Sequence, residues 1–432
     1  MKYQKSFPTV AVIIAVAAIA GVAVLWGNLP DSYKSQIYNS ASKSSPSART
    51  SVSQIKNRLN QEWGQGHCTG RGPVELKFSP VSLSDLKFII PMGEMVGAHV
   101  TPVDHQYWYP TGAARGSGLT SNPEHYTVYA PADGNIVSLE HRTEALVEKM
   151  GGGNAPAEDD YRLIIQHSCS FFTYLIHINK VKPEILAQAK FRQYDPVLAG
   201  ASTRIPIKAG EVIGTTGDHQ FDFAVINTDK VLKGFITPGL YQGEPWKIFT
   251  ADPFDYFKEP LKNQLLAKLL KTQSPLGGKI DYDIDGRAVG NWFRTGTNGY
   301  QGASQNRYWD GHLTLAYDSI DTDKIIISTG NFNGRAGQFM VVGNAPDPKD
   351  ISAGADPVKY ELVPYDRTTP TGEVWDQASF IKDLKVTPRP GDTAGVLMIQ
   401  MTDKRKLKVE AFPGQKPAEI TSFTSNAAIY ER

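Results

Sequence analysis

In the stretch GAHVTPVDHQYWYP, residues 97–110, His99, Asp104 and His105 fall within seven positions. Imidazole nitrogens and carboxylate oxygens are the donors that zinc takes. On a regular strand His99 and Asp104 point to opposite faces, because side chains alternate with period two. Pro102 lies between them and supplies a kink that would bring them together. His105 shares strand parity with His99 and is an alternative donor. A second acidic cluster, DYDIDG at 281–286, opens like a calcium-binding EF-hand loop. Its twelfth position is Trp292 where a bidentate Glu is needed, and no helices flank it, so it reads as a charged β-turn. His67, His125, His141 and His312 stand beside turns or polar residues and read as solvated. His167 ends a strand-like run, where a structural hydrogen bond is its expected role. NWF (291–293) and RYWDGH (307–312) carry tryptophans that either stack on sugars and partners or fill a β-core.

The elements that must position these groups are mostly strands. HYTVYAPADGNIVSLEH (125–141) reads as two strands joined at Pro131-Ala132-Asp133-Gly134, a sequence suited to a tight turn. YRLIIQH and FFTYLIHI flank Ser168-Cys169-Ser170 as a hairpin. IKAGEVIGTTG (207–217) reads as a turn-rich strand pair, and FDFAVIN (221–227) alternates like a half-buried strand. Before them, SQIKNRLNQEW (53–63) places Ile55, Leu59 and Trp63 on one face of a short amphipathic helix. After them, EPLKNQLLAKLLKTQ (259–273) has leucines at helical spacing between Pro260 and Pro275, a linker helix over 259–276. From 277 to 432, HLTLAYDSI, KIIISTGNF, QFMVVGN, KYELVPY, GVLMIQM and KLKVEAF follow at short intervals. That is an all-β sandwich or small barrel.

At 432 residues and 41% hydrophobic, the chain is large enough for more than one core. A formal net charge of +1 without a long basic run argues against a nucleic-acid partner. The N-terminus argues for a membrane. Lys2 and Lys5 precede Val10–Trp26, which is apolar throughout, and no further charge occurs before Asp31. Seventeen helical residues span roughly 25 Å, and their flanks extend that toward a bilayer core. The reading is a cytoplasmic tail (1–7), a single-pass transmembrane anchor (8–28) and a flexible Ser-rich tether with the short helix (29–73), leaving the bulk of the chain extracytoplasmic. The alternative is a cleaved signal peptide, with small residues at Ala18-Ile19-Ala20. Outside the cell, the two cysteines, Cys68 and Cys169, are expected to pair.

VYAPADGNIVSL, IIQHSCSFFTYLIHINKV, AGEVIGTTG and FDFAVIN, in that order, resemble the lysostaphin-type (M23, LytM-like) zinc peptidase domain. The resemblance covers roughly 88–230 and implies a LytM-like antiparallel β-domain over 74–258. It also implies a ligand set. The family's H-x3-D falls nearest to His99 and Asp104, one residue too long, and its H-x-H pair falls on Gln220 and Asp222. His177 matches the remaining catalytic histidine. The implied metal ligands are therefore His99, Asp104 and Asp222, with zinc as the implied cofactor. Gln220 cannot accept and return a proton, which leaves general-base work to His177 alone. The expectation is a degenerate peptidase domain serving as a non-catalytic binding or scaffolding module. Its partner would be a cell-envelope polymer or protein. A divergent zinc metallohydrolase acting on cell-wall peptide or another surface polymer is the rival.

Overall fold

The computed structural model describes residues 50–432 apart from 65–66, 114, 116–123, 143–159, 196–197, 390 and 392. The expected cytoplasmic tail, the anchor at 8–28 and most of the tether lie outside the described residues. Among the described residues no helix is long and apolar enough to cross a membrane.

The chain is mainly β. Helix α1 (Val52–Gly64) buries Ile55, Leu59 and Trp63, the three positions its spacing puts on one face. The first β region contains β1 (Leu86–Ile90), β2 (Gln106–Pro110), β3 (Tyr126–Tyr129), β4 (Gly134–Arg142), β5 (Asp160–Ser168), β6 (Phe171–Ile178), β7 (Lys180–Val181), β8 (Arg192–Asp195), β9 (Leu198–Ile207), β10 (Val212–Thr216), β11 (Phe221–Asn227) and β12 (Thr250–Ala251). The main sheet runs β1-β2-β11-β6-β5-β4-β9-β8, with β12 added to β11, and a small sheet runs β3-β10-β7. The hairpin of β5 and β6 forms as expected. The other two expected pairs do not. β3 and β4 enter different sheets, and so do β9 and β10. Their intervening turns serve as sheet-to-sheet crossings. The cysteines are bonded: Cys68 joins Cys169 across 101 residues.

β11 is buried along its whole length, where the alternating pattern predicted one wet face. Phe221, Phe223 and Val225 enter one core with Trp108, Leu175 and Phe257. Ala224 and Ile226 enter a second core with Phe172, Tyr174 and the three apolar residues of α1. The second face is dry because α1 and later segments cover it.

The expected linker helix is short. α3 (Leu261–Ala267), which follows α2 (Pro183–Gln188), stops where the chain straightens to pair with an edge strand. Ile89 N–H donates to the Lys268 carbonyl and Leu270 N–H to the Ile89 carbonyl. Pairing with β1 covers an otherwise open sheet edge, and this outweighs helix continuation for Leu269 and Leu270.

The C-terminal region contains β13 (Gly290–Arg294), β14 (His312–Tyr317), β15 (Ile325–Phe332), β16 (Arg335–Val341), β17 (Val358–Val363), β18 (Tyr365–Thr368), β19 (Lys385–Pro388), β20 (Gly395–Asp403), β21 (Lys406–Pro413) and β22 (Ala428–Glu431). Eight of them close a barrel in the order β13-β14-β15-β16-β17-β20-β21-β22, and β18 and β19 form a separate hairpin. A barrel of eight strands has an interior just wide enough for side chains to fill. Here Trp292, Leu313, Leu315, Ile327, Tyr360 and Leu397 fill it. The tryptophan-bearing segments are thus core: Trp292 is fully buried, and Phe293 and Trp309 are buried too.

Barrel and sheet share apolar clusters. Phe293 and Tyr300 pack with Phe172 and Tyr174, while Trp375 and Leu384 pack with Phe88 and Tyr107.

Candidate functional site

Three neighbouring strands build the site. Asp222 on β11 lies opposite Tyr107 on β2 and Ile176 on β6. Directly opposed residues share a face, so His105, two residues before Tyr107, comes to the Asp222 side. Tyr174, two before Ile176, does the same. His177 should turn away by the same rule, but its φ of 67° places it in the left-handed region. That backbone turn swings the imidazole back toward Asp222.

The result is a chain of imidazoles and carboxylates. His177 Nδ1 stands 3.3 Å from Asp160 Oδ1, and its Nε2 stands 3.3 Å from Asp222 Oδ2. His105 Nε2 stands 3.4 Å from the same Asp222 oxygen. Its Nδ1 lies 3.3 Å from Asp104 Oδ1 and 3.2 Å from the Tyr174 hydroxyl. Asp104 also accepts from Trp246 Nε1 at 2.7 Å and from Lys247 Nζ at 3.3 Å. Asp104, His105, Asp222 and Lys247 are all buried.

Charge settles accordingly. Burial opposes an imidazolium at His177, but Asp222 and Asp160 outweigh it and raise the group to about 9. Burial likewise penalises the Asp104 carboxylate, yet Lys247 and His105 hold it well below the usual range. Lys247 answers in kind, its ammonium stabilised against burial by Asp104 and Glu244.

The expected ligands His99, Asp104 and Asp222 are distributed around this chain. His99 is exposed, with its ring 6.0 Å from that of His105. Asp104 and Asp222 meet different nitrogens of His105, whose ring separates them. Zinc needs its donors at about 2.0–2.2 Å from one point, and this arrangement of the three does not fit that. The buried atoms that lack a hydrogen-bond partner among the described residues include His105 Nε2 and Asp222 Oδ1. Both lie on the Asp222 side, away from Asp104. Among the described residues no group of three or more His, Cys, Asp or Glu side chains is arranged to hold a metal ion.

A cleft of about 490 Å³ opens beside the chain, lined by His99, Tyr107, Arg115, His177, Gln220, Asp222 and, from the C-terminal region, Gln377. Glu94 also lines it and anchors a buried ion network. It pairs with Arg115 and, at 2.8 Å, with Arg367, whose other nitrogen holds Asp318 at 2.7 Å. Sequence reading missed Glu94, Arg115, Asp160, Lys247 and Arg367. Nothing local marks them, because each charge finds its partner through tertiary packing.

The remaining histidines divide. His167 makes structural hydrogen bonds, to the Asp133 carbonyl and Thr173 Oγ1, both at 2.8 Å. His219 is fully buried, 2.6 Å from Asn179 Oδ1. His312, expected in solvent, is buried at 1% exposure, because β14 carries it between Phe293, Tyr300 and Tyr308. The carboxylates of DYDIDG go to separate partners: Asp281 to Lys279, Asp283 to the Asn291 amide and Asp285 to Arg405.

No protein-family model matches the chain, and no curated protein matches it. Among solved structures, the NMR solution structure of lysostaphin is a weak neighbour. It has a TM-score of 0.21 and 10% identity, covering 64% of this chain and 96% of that one.

Proposed function

We propose that the chain is a membrane-anchored, extracytoplasmic protein whose first β region is a non-catalytic binding module. The cleft beside Asp222 is its recognition surface, and its partner is a cell-envelope polymer or protein. One observation carries the reading: the run Asp160–His177–Asp222–His105–Asp104–Lys247, in which the groups expected to work on a metal and a water are engaged with one another. A general base needs a free lone pair near the working pH. His177, held as an imidazolium between two carboxylates, does not offer one at neutral pH. Gln220 stands at the cleft wall, and its amide cannot take up and return a proton. The anchor rests on the apolar stretch at 8–28 and the lysines before it.

The test is incubation of the full chain, in detergent and with added zinc, with cell-wall fragments and peptides, beside a His177→Ala chain. Saturable binding without hydrolysis is expected. Turnover that vanishes in the variant would sink the reading in favour of a divergent zinc metallohydrolase.

A further inference from the structure

A second cleft, of about 540 Å³, shares no lining residue with the first. It lies where Lys233 and residues 271–289 meet Tyr317, Thr322 and Lys349 of the C-terminal region. Four lysines line it, Lys233, Lys271, Lys279 and Lys349, against two aspartates, Asp281 and Asp283. Both aspartates are engaged. Asp281 takes the Gly234 amide at 2.9 Å and Lys279 at 2.7 Å. Asp283 takes the Asn291 amide at 2.8 Å and faces Arg432 at 3.6 Å. Lys349 is matched by Asp347 at 2.7 Å.

Lys271 is the unusual member. It lines the cleft yet is only 4% exposed. Its ammonium donates to a neutral acceptor, the Ser319 carbonyl at 2.7 Å. Among the described residues no carboxylate lies within ion-pair distance of it. The nearest candidates are committed: Asp318 to Arg367 and the amides of Ile320 and Asp321, Asp321 to the Val386 amide. In the same residue, Ser319 Oγ is buried without a hydrogen-bond partner among the described residues. A buried ammonium without an ion-pair partner is costly; Asp318 and Asp321 offset only part of that cost, and the ammonium has donors to spare. Exposed Lys233 has no ion pair among the described residues and adds a second uncommitted charge. Tyr282, Ile284, Val289 and Pro275 give the cleft apolar walls.

We propose that this cleft binds a small ring-bearing anion, its phosphoryl or carboxylate group on Lys271 and Lys233 and its ring against the apolar walls. Burial lowers Lys271 to about 8, and a bound anion would offset that cost.

The probes are phenyl phosphate and benzoate, with benzyl alcohol as the neutral control, titrated into the full chain in detergent and followed by ligand-observed NMR. Saturable binding of at least one anion is expected, with none for the alcohol, and the anion that binds names the head group. Lys271→Met should weaken binding roughly tenfold, the size of one charge-assisted hydrogen bond. Lys233→Gln should weaken it several-fold. Absence of binding by both anions, or affinity undiminished in Lys271→Met, overturns the proposal. If that variant does not fold, Lys233→Gln decides alone, since its exposed side chain makes no ion pair among the described residues. Undiminished binding there overturns the proposal equally.

Discussion

His177 Nε2 lies 3.3 Å from Asp222 Oδ2, although strand alternation alone would turn the two side chains to opposite faces. The left-handed backbone at His177, φ 67°, makes the contact. A non-glycine residue there costs on the order of 1–3 kcal/mol and persists only where its surroundings hold it. Here the holders are the two carboxylates on either side of the ring.

A double-mutant cycle tests that account. His177→Gln should destabilise the full chain by about 3–5 kcal/mol, because Asp160 and Asp222 both lose the cation held between them. Asp222→Asn made in the same chain should recover part of the loss, giving a coupling of about 1–3 kcal/mol. Additive losses in urea unfolding would mean that the two side chains do not hold each other.

The network at Glu94 makes a second prediction. Arg367 is buried between Glu94 and Asp318 and carries their charge balance across the sheet and barrel. Both carboxylates are held below their usual range against burial, with Arg115 and Arg367 lowering Glu94 and Arg367 lowering Asp318. Arg367→Met should therefore cost about 3–5 kcal/mol. Glu94→Gln in that background should return some of it. A loss below about 1 kcal/mol in urea unfolding would contradict the network's role.

Local pattern carried much of the fold. Helix α1 was legible because Ile55, Leu59 and Trp63 recur at helical spacing and all three are buried. The barrel strands were legible as short apolar runs separated by turn residues. What failed was anything decided by a distant partner. The leucines at 269 and 270 look helical, but β1 takes their backbone. His312 looks solvated beside Asp310 and Gly311, but β14 carries it into an aromatic cluster. At the site, period two grouped His105 with His99 only; its meeting with Asp222 depends on the register of β2 against β11, and the same period would have sent His177 away. A left-handed histidine has no signature in its neighbours, and Asp160, Lys247 and Arg367 meet their partners across long sequence separations.

His312 supplies a pH prediction. Burial is the largest influence on it and lowers it to about 3, against partial support from the Tyr300 carbonyl. It stays neutral in the fold while the unfolded chain protonates near 6.5, so its contribution is present above pH 6.5 and is lost as pH falls toward 3. Asp252 and Asp283 act oppositely: burial raises each to about 6, so they take up protons first in the fold. The difference between wild type and His312→Gln isolates the histidine. Between pH 7 and 4 the wild type should lose stability more steeply than the variant, by up to a few kcal/mol. Parallel urea midpoints across that range would rule this out.

Asp104 separates the structural from the metal-binding reading of the first cleft. Its carboxylate accepts from Trp246, Lys247 and His105, so the structural reading makes it a counter-charge for a buried lysine. Asp104→Asn should then cost about 3–5 kcal/mol, because Lys247 loses its buried carboxylate partner and keeps only the more exposed Glu244. Zinc should leave the stability of wild type and variant alike. A metal bound at one hundred times its Kd would add about 2.7 kcal/mol to the folded state. Thermal unfolding of the full chain, chelator-stripped and then supplied with zinc, reads both effects together. A wild-type melting temperature that climbs with zinc while the Asp104→Asn chain does not respond would make Asp104 a ligand. An unchanged wild type beside a destabilised variant is the expected outcome, and it places the worth of Asp104 in its pairing with Lys247.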